Sequence, residues 1–181
     1  MSEDMPQMDV LEGEKCPVCS ANELTLTDAE RDIPFFGQVA IFSMSCGACG
    51  YHKADVECLE EQEPAKYSID IDSEEDMKIR VIKSSFGTLK IAHVGSIEPG
   101  ESANGYVTNI EGVLNRIKKQ IEFLRDSSDD KADVKKAKNL LKKITKIMWG
   151  QEKVKITLDD PTGNSAIVSE KATITKLKAK K

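Results

Sequence analysis

The sequence predicts a mainly β protein with an α insertion, in which a small cysteine-bearing ribbon precedes a larger β domain. Two Cys-x-x-Cys pairs lie near the start of the 181-residue chain, and two amphipathic helices interrupt a later series of alternating apolar and polar segments. The expected organisation is a ribbon module over residues 13–57, an acidic connecting segment over 58–76 and a β domain over 77–176. A helical hairpin is expected within that domain, at about 108–149.

The four paired cysteines, Cys16, Cys19, Cys46 and Cys49, form the most specific motif, with 26 residues between the pairs. The chain starts with an acidic stretch and no apolar leader, so secretion and disulfides are not expected. Reduced thiols at this spacing are typical of a tetrahedral zinc site, and four thiolates leave no position open for water. We therefore expect one structural Zn²⁺ in a four-cysteine zinc ribbon. The alternatives are thiols without metal and a redox pair, and two pairs in one ribbon disfavour the latter.

The spacer between the cysteine pairs predicts two strands, Glu23–Thr27 and Gln38–Met44, joined by a loop. Gly47 and Gly50 suit the tight backbone of the second cysteine turn. Phe35 and Phe36 lie at the loop tip, where adjacent side chains of an extended segment point to opposite sides. Either an exposed phenylalanine forms a small apolar contact for a partner, or the pair packs on the core of the ribbon.

Two residues near the ribbon have alternative interpretations. Cys58 is either a redox thiol or a partly buried small residue at a strand end. His52 follows the second cysteine pair and is a possible substitute ligand, but four cysteines already complete the shell, so a surface position is expected.

The β domain is predicted from short alternating segments. A strand is expected at Tyr67–Ile71, inside the acidic connecting segment. Further strands are expected at 77–83, 88–94, 153–158, 166–169 and 172–175. Asp159 and Asp160 begin an Asp-Asp-Pro-Thr-Gly-Asn-Ser stretch that predicts a turn, with Asp and Asn side chains capping backbone amides. A metal or acid–base pair is the less favoured alternative there.

Two helices are expected between these strands. Thr108-Asn109-Ile110-Glu111 matches a capping box, and apolar residues follow at helical spacing. The second helix ends before Gly150 and is rich in lysine. Those lysines either contact nucleic-acid phosphates or form a solvated face, and the lack of interleaved arginines favours the solvated face. The residues concerned are Lys131, Lys135, Lys136, Lys138, Lys142, Lys143 and Lys146.

Composition and motifs exclude several classes of function. The sequence contains no phosphate-binding GxxxxGK[ST] loop, no GxGxxG and no GxSxG, and it has only two histidines. No apolar run reaches the length of a membrane span. Residues 1–75 hold 18 acidic and 4 basic residues, whereas 76–181 hold 13 acidic and 22 basic residues. A cytoplasmic binding protein without enzymatic activity is therefore expected.

Five segments together resemble the ZPR-type zinc-finger family. They are the two cysteine pairs, the Asp32–Gly37 loop, the 108–114 stretch and the 158–165 stretch. The resemblance spans about residues 13–170 and implies a zinc finger joined to a domain of double-stranded β-helix type with an inserted helical hairpin. One module is present, as in the shorter archaeal form, whereas eukaryotic members carry two.

Eukaryotic members of that family bind translation elongation factor 1-alpha and assist its folding, and they are linked to receptor tyrosine kinase tails. The resemblance thus implies an adaptor or chaperone-like factor for an elongation factor GTPase, with Phe35 and Phe36 as candidate contacts. The alternative is a zinc-ribbon nucleic-acid-binding protein that uses the lysine-rich helix.

Overall fold

The computed structural model describes residues 8–34, 36–60, 62–100 and 103–177. Within them the chain forms twelve strands, two α-helices and one short 3-10 turn, Glu75–Lys78. The first four strands are β1 Met8–Glu14, β2 Leu24–Ile33, β3 Gly37–Cys46 and β4 His52–Cys58. The others are β5 Ala65–Ile71, β6 Arg80–Lys83, β7 Thr88–Ile91, β8 Gly95–Ile97, β9 Tyr106–Asn109, β10 Val154–Asp160, β11 Ala166–Val168 and β12 Thr173–Lys176. The helices are α1 Ile110–Ser127 and α2 Lys131–Met148.

The ribbon is an antiparallel sheet in the order β1-β2-β3-β4. Its central hairpin pairs Leu24 with Cys46 at one end and Ile33 with Gly37 at the other, so the strands are longer than predicted. β1 and β4 were not predicted. Every residue of β1 is exposed, and only Val56 of β4 is buried, so neither strand carries a pattern of alternating burial that its sequence would reveal.

The β domain contains a five-stranded sheet, β12-β5-β10-β7-β8, and a three-stranded sheet, β11-β6-β9. β5 lies within the 58–76 segment and pairs with both β10 and β12. Ile69 and Ile71 of β5 are fully buried, because its apolar residues alternate with polar ones that face outward. The predicted strand at 77–83 is shorter than expected, since the 3-10 turn takes its first residues and β6 starts at Arg80.

The predicted helical hairpin is confirmed, with one correction at its start. The N-cap of α1 is Asn109, whose Oδ1 accepts a hydrogen bond from the Gly112 N–H at 2.8 Å. The capping-box motif predicts Thr108 as the N-cap. In the structure β9 continues through Asn109, so the helix begins one residue later than predicted. Neither helix among the described residues is long and apolar enough to cross a membrane.

Both modules contribute to one hydrophobic core. Ile33, Val39 and Val56 of the ribbon pack in the same cluster as the β domain and the buried face of α1. The seam also has backbone links, because the Gly105 N–H donates to the Ala54 carbonyl at 2.9 Å. The ribbon is therefore anchored on the β domain by packing as well as by chain connectivity.

Candidate metal centre

The structure brings the four predicted cysteine ligands together. Their sulfur atoms all lie within 4.8 Å of one another, and the other described residues form no second cluster of this kind. The Cys16 and Cys49 sulfurs are 3.8 Å apart, and the Cys19 and Cys46 sulfurs are 3.7 Å apart. A tetrahedral zinc site with Zn–S bonds of about 2.3 Å has S–S edges of about 3.8 Å. The donor set therefore fits one Zn²⁺ in size as well as in ligand type.

Two equivalent backbone turns position these sulfurs. The Ser20 N–H donates to the Cys16 carbonyl at 2.9 Å, and the Gly50 N–H donates to the Cys46 carbonyl at 3.0 Å. The residue after each pair has a left-handed backbone, with φ of 63° at Ser20 and 71° at Gly50. Gly47 has no such conformation; instead, a Cβ added there would lie 3.2 Å from the Glu23 carboxylate.

The pKa values of the Cys16 and Cys49 thiols are shifted in opposite directions from the ordinary cysteine value. The Cys19 N–H and then the Val18 N–H, 3.4 Å from the sulfur, lower the pKa of Cys16 to about 6. The Tyr51 N–H lowers the pKa of Cys49, but burial and the neighbouring sulfurs outweigh it and raise that pKa to about 12. Four thiolates this close repel one another, so full ionisation requires a bound cation. A divalent metal is the counter-ion that this arrangement suits.

The zinc shell is closed by cysteine alone. His52 lies on the surface, where its Nδ1 is 2.9 Å from the Ser45 hydroxyl, as expected for a residue outside the site. Cys16 and Cys46 are buried with Leu24, whereas Cys19 and Cys49 are exposed. Four protein ligands fill a tetrahedral shell, so the metal would hold the fold and leave no position for a reactive water.

The Asp-Asp-Pro stretch contains a buried carboxylate, Asp160, that accepts hydrogen bonds from three other residues. β10 extends through Asp160, two residues beyond the predicted strand end, and the side chain of Asp160 is fully buried. Its Oδ1 accepts hydrogen bonds from the N–H and the hydroxyl of Thr162, each at 2.7 Å. Its Oδ2 accepts from the hydroxyls of Ser84, at 2.7 Å, and Ser165. The predicted capped turn is thus present.

Two charged residues at the seam were not predicted from the sequence. Asp55 of β4 accepts a hydrogen bond from the Ser85 N–H at 2.8 Å, which fixes the β6–β7 turn against the ribbon. Lys83 is only 1% exposed, and its ammonium donates to the Ser84 carbonyl at 3.0 Å. Burial lowers the pKa of Lys83. Asp55 carries no local signal, because Ser85 is 30 positions away, and Lys83 ends a short Arg-Val-Ile-Lys strand whose pattern does not reveal that the lysine is buried.

The remaining candidates differ in how the structure places them. Cys58 ends β4, is half-buried and packs against the main core, and burial raises its pKa, which fits the interpretation as a small packed residue. Phe36 is half-buried and also packs against that core. Phe35 lies outside the described residues.

Family models match nearly the whole chain. A model described as the ZPR1 zinc-finger domain matches residues 9–64, and one described as the ZPR1 jelly-roll domain matches residues 75–181. The zinc-finger match agrees with the four-sulfur site, and the jelly-roll match confirms the expected double-stranded β-helix type.

The chain is also similar to archaeal and eukaryotic proteins. A ZPR1-like protein of Pyrococcus horikoshii is 38% identical over 167 residues, covering 90% of this chain and 75% of that protein. A ZPR1-like protein of Methanocaldococcus jannaschii is 40% identical over 157 residues, covering 86% and 79%. A Schizosaccharomyces pombe protein named zinc finger chaperone zpr1 is 31% identical over 141 residues, covering 75% of this chain and 30% of its own length.

Proposed function

The chain belongs to the ZPR1 zinc-finger family, and from this premise we propose that it is a zinc-binding, chaperone-like factor for a translation elongation factor of the 1-alpha class. On this proposal it works in the cytoplasm and is not an enzyme. Its zinc maintains the binding module and takes no part in chemistry.

The closed four-sulfur site is the observation that carries the proposal. A fully ligated metal contributes folding energy and leaves no open position for a substrate. The other polar clusters support a structural role, because Asp160 is buried and its oxygens are occupied by hydroxyl and amide donors. Both observations support the proposal that this chain binds a partner and does not catalyse a reaction.

The relatives support a protein as the partner. The S. pombe relative is named a chaperone, and chaperones act on other proteins. The match covers 30% of the S. pombe protein's length, and the sequence described here contains one zinc ribbon and one jelly-roll domain. A single module is expected to bind more weakly than two linked ones, because linkage raises the effective concentration of the second contact.

Phe35 and Phe36 remain the proposed contact on the ribbon. Phe36 packs partly against the core, so its exposed part alone is available to a partner. Aromatic residues dominate the binding energy of many interfaces. The contact is therefore testable by truncation, provided that the fold is checked at the same time.

The direct test is calorimetric titration of the zinc-loaded chain into elongation factor 1-alpha from the same cell, in its GDP form. The proposal expects a dissociation constant in the micromolar range or tighter. The Phe35→Ala/Phe36→Ala variant is expected to bind at least tenfold more weakly, with one zinc retained.

Phe86→Ala is the matched control for that variant, because Phe86 is 57% exposed and lies on the β6–β7 turn of the β domain, outside the ribbon sequence. Its affinity should equal that of the wild type. Absence of heat from the wild-type protein at several salt concentrations would remove the proposed partner. Unchanged affinity in the double variant would remove only the proposed contact.

Nucleic-acid binding is a second candidate function, which the arrangement of the α2 lysines favours. Five of them follow at spacings of four, three, four and four residues, which places them on one helix face, and all five are exposed. They are Lys131, Lys135, Lys138, Lys142 and Lys146. Trp149, 62% exposed, follows at the helix end and supplies an aromatic surface for stacking.

Salt dependence tests this second function. Each neutralised phosphate contributes nearly one unit to the slope of log affinity against log salt. A mobility assay with single-stranded RNA should show that slope, and it should fall in a Lys138→Gln/Lys142→Gln variant. No binding, or binding that salt does not weaken, would exclude the function.

A further inference from the structure

A basic cleft lies at the seam between the ribbon and the β domain. Its volume is about 650 Å³, within the range of ligand-binding clefts. Arg31 of β2 lines it from the ribbon, and Lys78 and Arg80 line it from the β domain. The acid in its lining is Asp32, so the described cleft residues carry a net charge of +2. This contrasts with the chain as a whole, whose net charge is −5.

The three cations of the cleft are available for a ligand. All three side chains are exposed, and none makes an ion pair within the part of the chain that the structure describes. Two of them are arginines, whose planar guanidinium groups bind carboxylates in a bidentate manner. Grouping like charges in a concavity raises the local potential, which an anionic partner would relieve.

The N-terminus of α1 adds to this potential. Thr108 and the N-cap Asn109 line the cleft, so the 18-residue helix points its positive end toward it. The Asn109 side chain already satisfies the Gly112 N–H. The helix therefore contributes an electrostatic field in addition to the three side-chain charges.

The rest of the lining suits an extended polypeptide. Ile33, Ile41 and Val107 form an apolar part of the cleft, beside the charged rim. β9, which supplies Val107, is an edge strand of the three-stranded sheet, and among the described strands it pairs with β6 alone. An edge strand accepts an added strand through backbone hydrogen bonds, while alternate side chains select the sequence.

We propose that this cleft binds an extended, acidic segment of a partner protein, in which apolar residues alternate with glutamate or aspartate. The apolar side chains would contact Ile33, Ile41 and Val107, and the carboxylates would pair with Arg31 and Arg80. This inference rests on the proposed function in one respect, because it takes the partner to be a protein. It adds the chemistry of the segment that is recognised.

The probe is a short fluorescein-labelled peptide in which glutamate alternates with valine, and fluorescence anisotropy follows its binding to the full zinc-loaded chain. An Arg31→Gln/Arg80→Gln variant should bind at least tenfold more weakly, since both guanidinium groups that pair with the peptide carboxylates are lost. A peptide with lysine in place of glutamate should not bind. Lys90→Gln/Lys155→Gln, at two exposed lysines of the β domain outside the cleft lining, is the matched control and should bind like the wild type.

Zinc content and melting temperature establish that each variant is folded, and Lys78→Gln supplies an independent variant if the double one loses zinc. Equal peptide affinity in wild type and cleft variants would overturn the inference. Labelled RNA that binds in place of the peptide, and is lost in the same variants, would overturn it in favour of a phosphate ligand.

The elongation-factor titration, made on the same proteins, separates the two proposals. Peptide binding without elongation-factor binding would support the cleft and remove that partner. Elongation-factor binding, together with peptide binding that is unchanged in the Arg31→Gln/Arg80→Gln variant, would support the elongation-factor partner and remove the cleft proposal.

Discussion

The side-chain oxygen of Asn164 accepts a hydrogen bond from the backbone N–H of Cys58 at 3.1 Å, although the two residues are 106 positions apart. Cys58 ends the last ribbon strand, and Asn164 lies in the loop that follows β10. The same loop contacts the β6–β7 turn through Ser165. A short polar loop thus joins three parts of the molecule.

Asn164→Ala is expected to lower the free energy of unfolding by about 1 kcal/mol, because the Cys58 N–H loses its partner. Asn139→Ala is the control, since Asn139 is exposed on α2. Urea denaturation with saturating zinc measures both. Equal midpoints for the two variants would show that the loop does not stabilise the ribbon.

Asp160→Asn is expected to cost about 3 kcal/mol, because one acceptor for the Ser84 and Ser165 hydroxyls becomes an amide nitrogen. Asp159→Asn is the matched control. Its salt bridge with Lys66, 3.2 Å long, is partly exposed and should contribute less than about 1 kcal/mol. Calorimetric melting of both variants tests this prediction. A small effect of Asp160→Asn would show that the Asp160 hydrogen bonds contribute little to the stability of the fold.

Cys46→Ser is expected to remove zinc binding, since one of the four converging sulfurs is lost. Cys58→Ser should retain one zinc per chain, because Cys58 lies outside the cluster. Metal analysis after gel filtration counts the zinc. Chelation of the wild type should likewise unfold the ribbon, whose zinc affinity is on the order of 10–16 kcal/mol.

Gly50→Ala is expected to destabilise the zinc-loaded protein by about 1–2 kcal/mol, because a Cβ is unfavourable at φ 71°. Among the residues that the structure describes, no atom beyond the two chain neighbours lies within 4 Å of that Cβ position, so the expected cost is backbone strain. Ser20→Gly, at the equivalent position of the first turn, should leave stability unchanged or raise it. Thermal unfolding compares the pair, and a cost for both substitutions would contradict this account.

The Asp76–Lys171 ion pair, with 2.8 Å between Oδ1 and Nζ, is expected to account for part of the loss of folding stability at low pH. Burial would raise the pKa of Asp76, but hydrogen bonds from Lys171 and the Asp72 N–H lower it overall. A lowered carboxyl pKa stabilises the fold above its ordinary value and loses that effect as pH falls through the folded value. Asp76→Asn should therefore flatten the loss of stability below about pH 4.

Stability measured against pH in wild type and Asp76→Asn tests this prediction. Lys171→Met is the complementary variant. The hydrogen bond to Asp76 raises the pKa of Lys171, so the contribution of Lys171 is present below its ordinary value and is lost as pH rises through the folded value. Identical acid limbs in wild type and Asp76→Asn would refute the assignment.

The zinc site was predictable because its information is local. Each cysteine turn is specified by a few adjacent residues, and thiolate chemistry restricts what two such turns can bind. The helical hairpin was predictable for a similar reason, since apolar residues recur at the helix period. Even there, the N-cap moved from Thr108 to Asn109 because β9 continues through Asn109.

The seam was not predictable because its partners are far apart in the chain. Asp55 accepts a hydrogen bond from the Ser85 N–H, and Asn164 accepts one from the Cys58 N–H. No local sequence pattern predicts these contacts, because 30 and 106 positions separate the partners. β1 was missed because all of its side chains are exposed. The cleft cations also carry no local signal, since Arg31 and Arg80 approach only after the ribbon packs on the β domain.

The strand pairings have a consequence for the order of folding during synthesis. All ribbon pairings join neighbouring strands between Met8 and Cys58, so this sheet needs only the first third of the chain. β5, in contrast, pairs with β10 and β12, and Lys176 must emerge before its sheet is complete. Local contacts form faster than distant ones. The ribbon can therefore acquire its zinc while the ribosome is still making the strands on which the β domain depends.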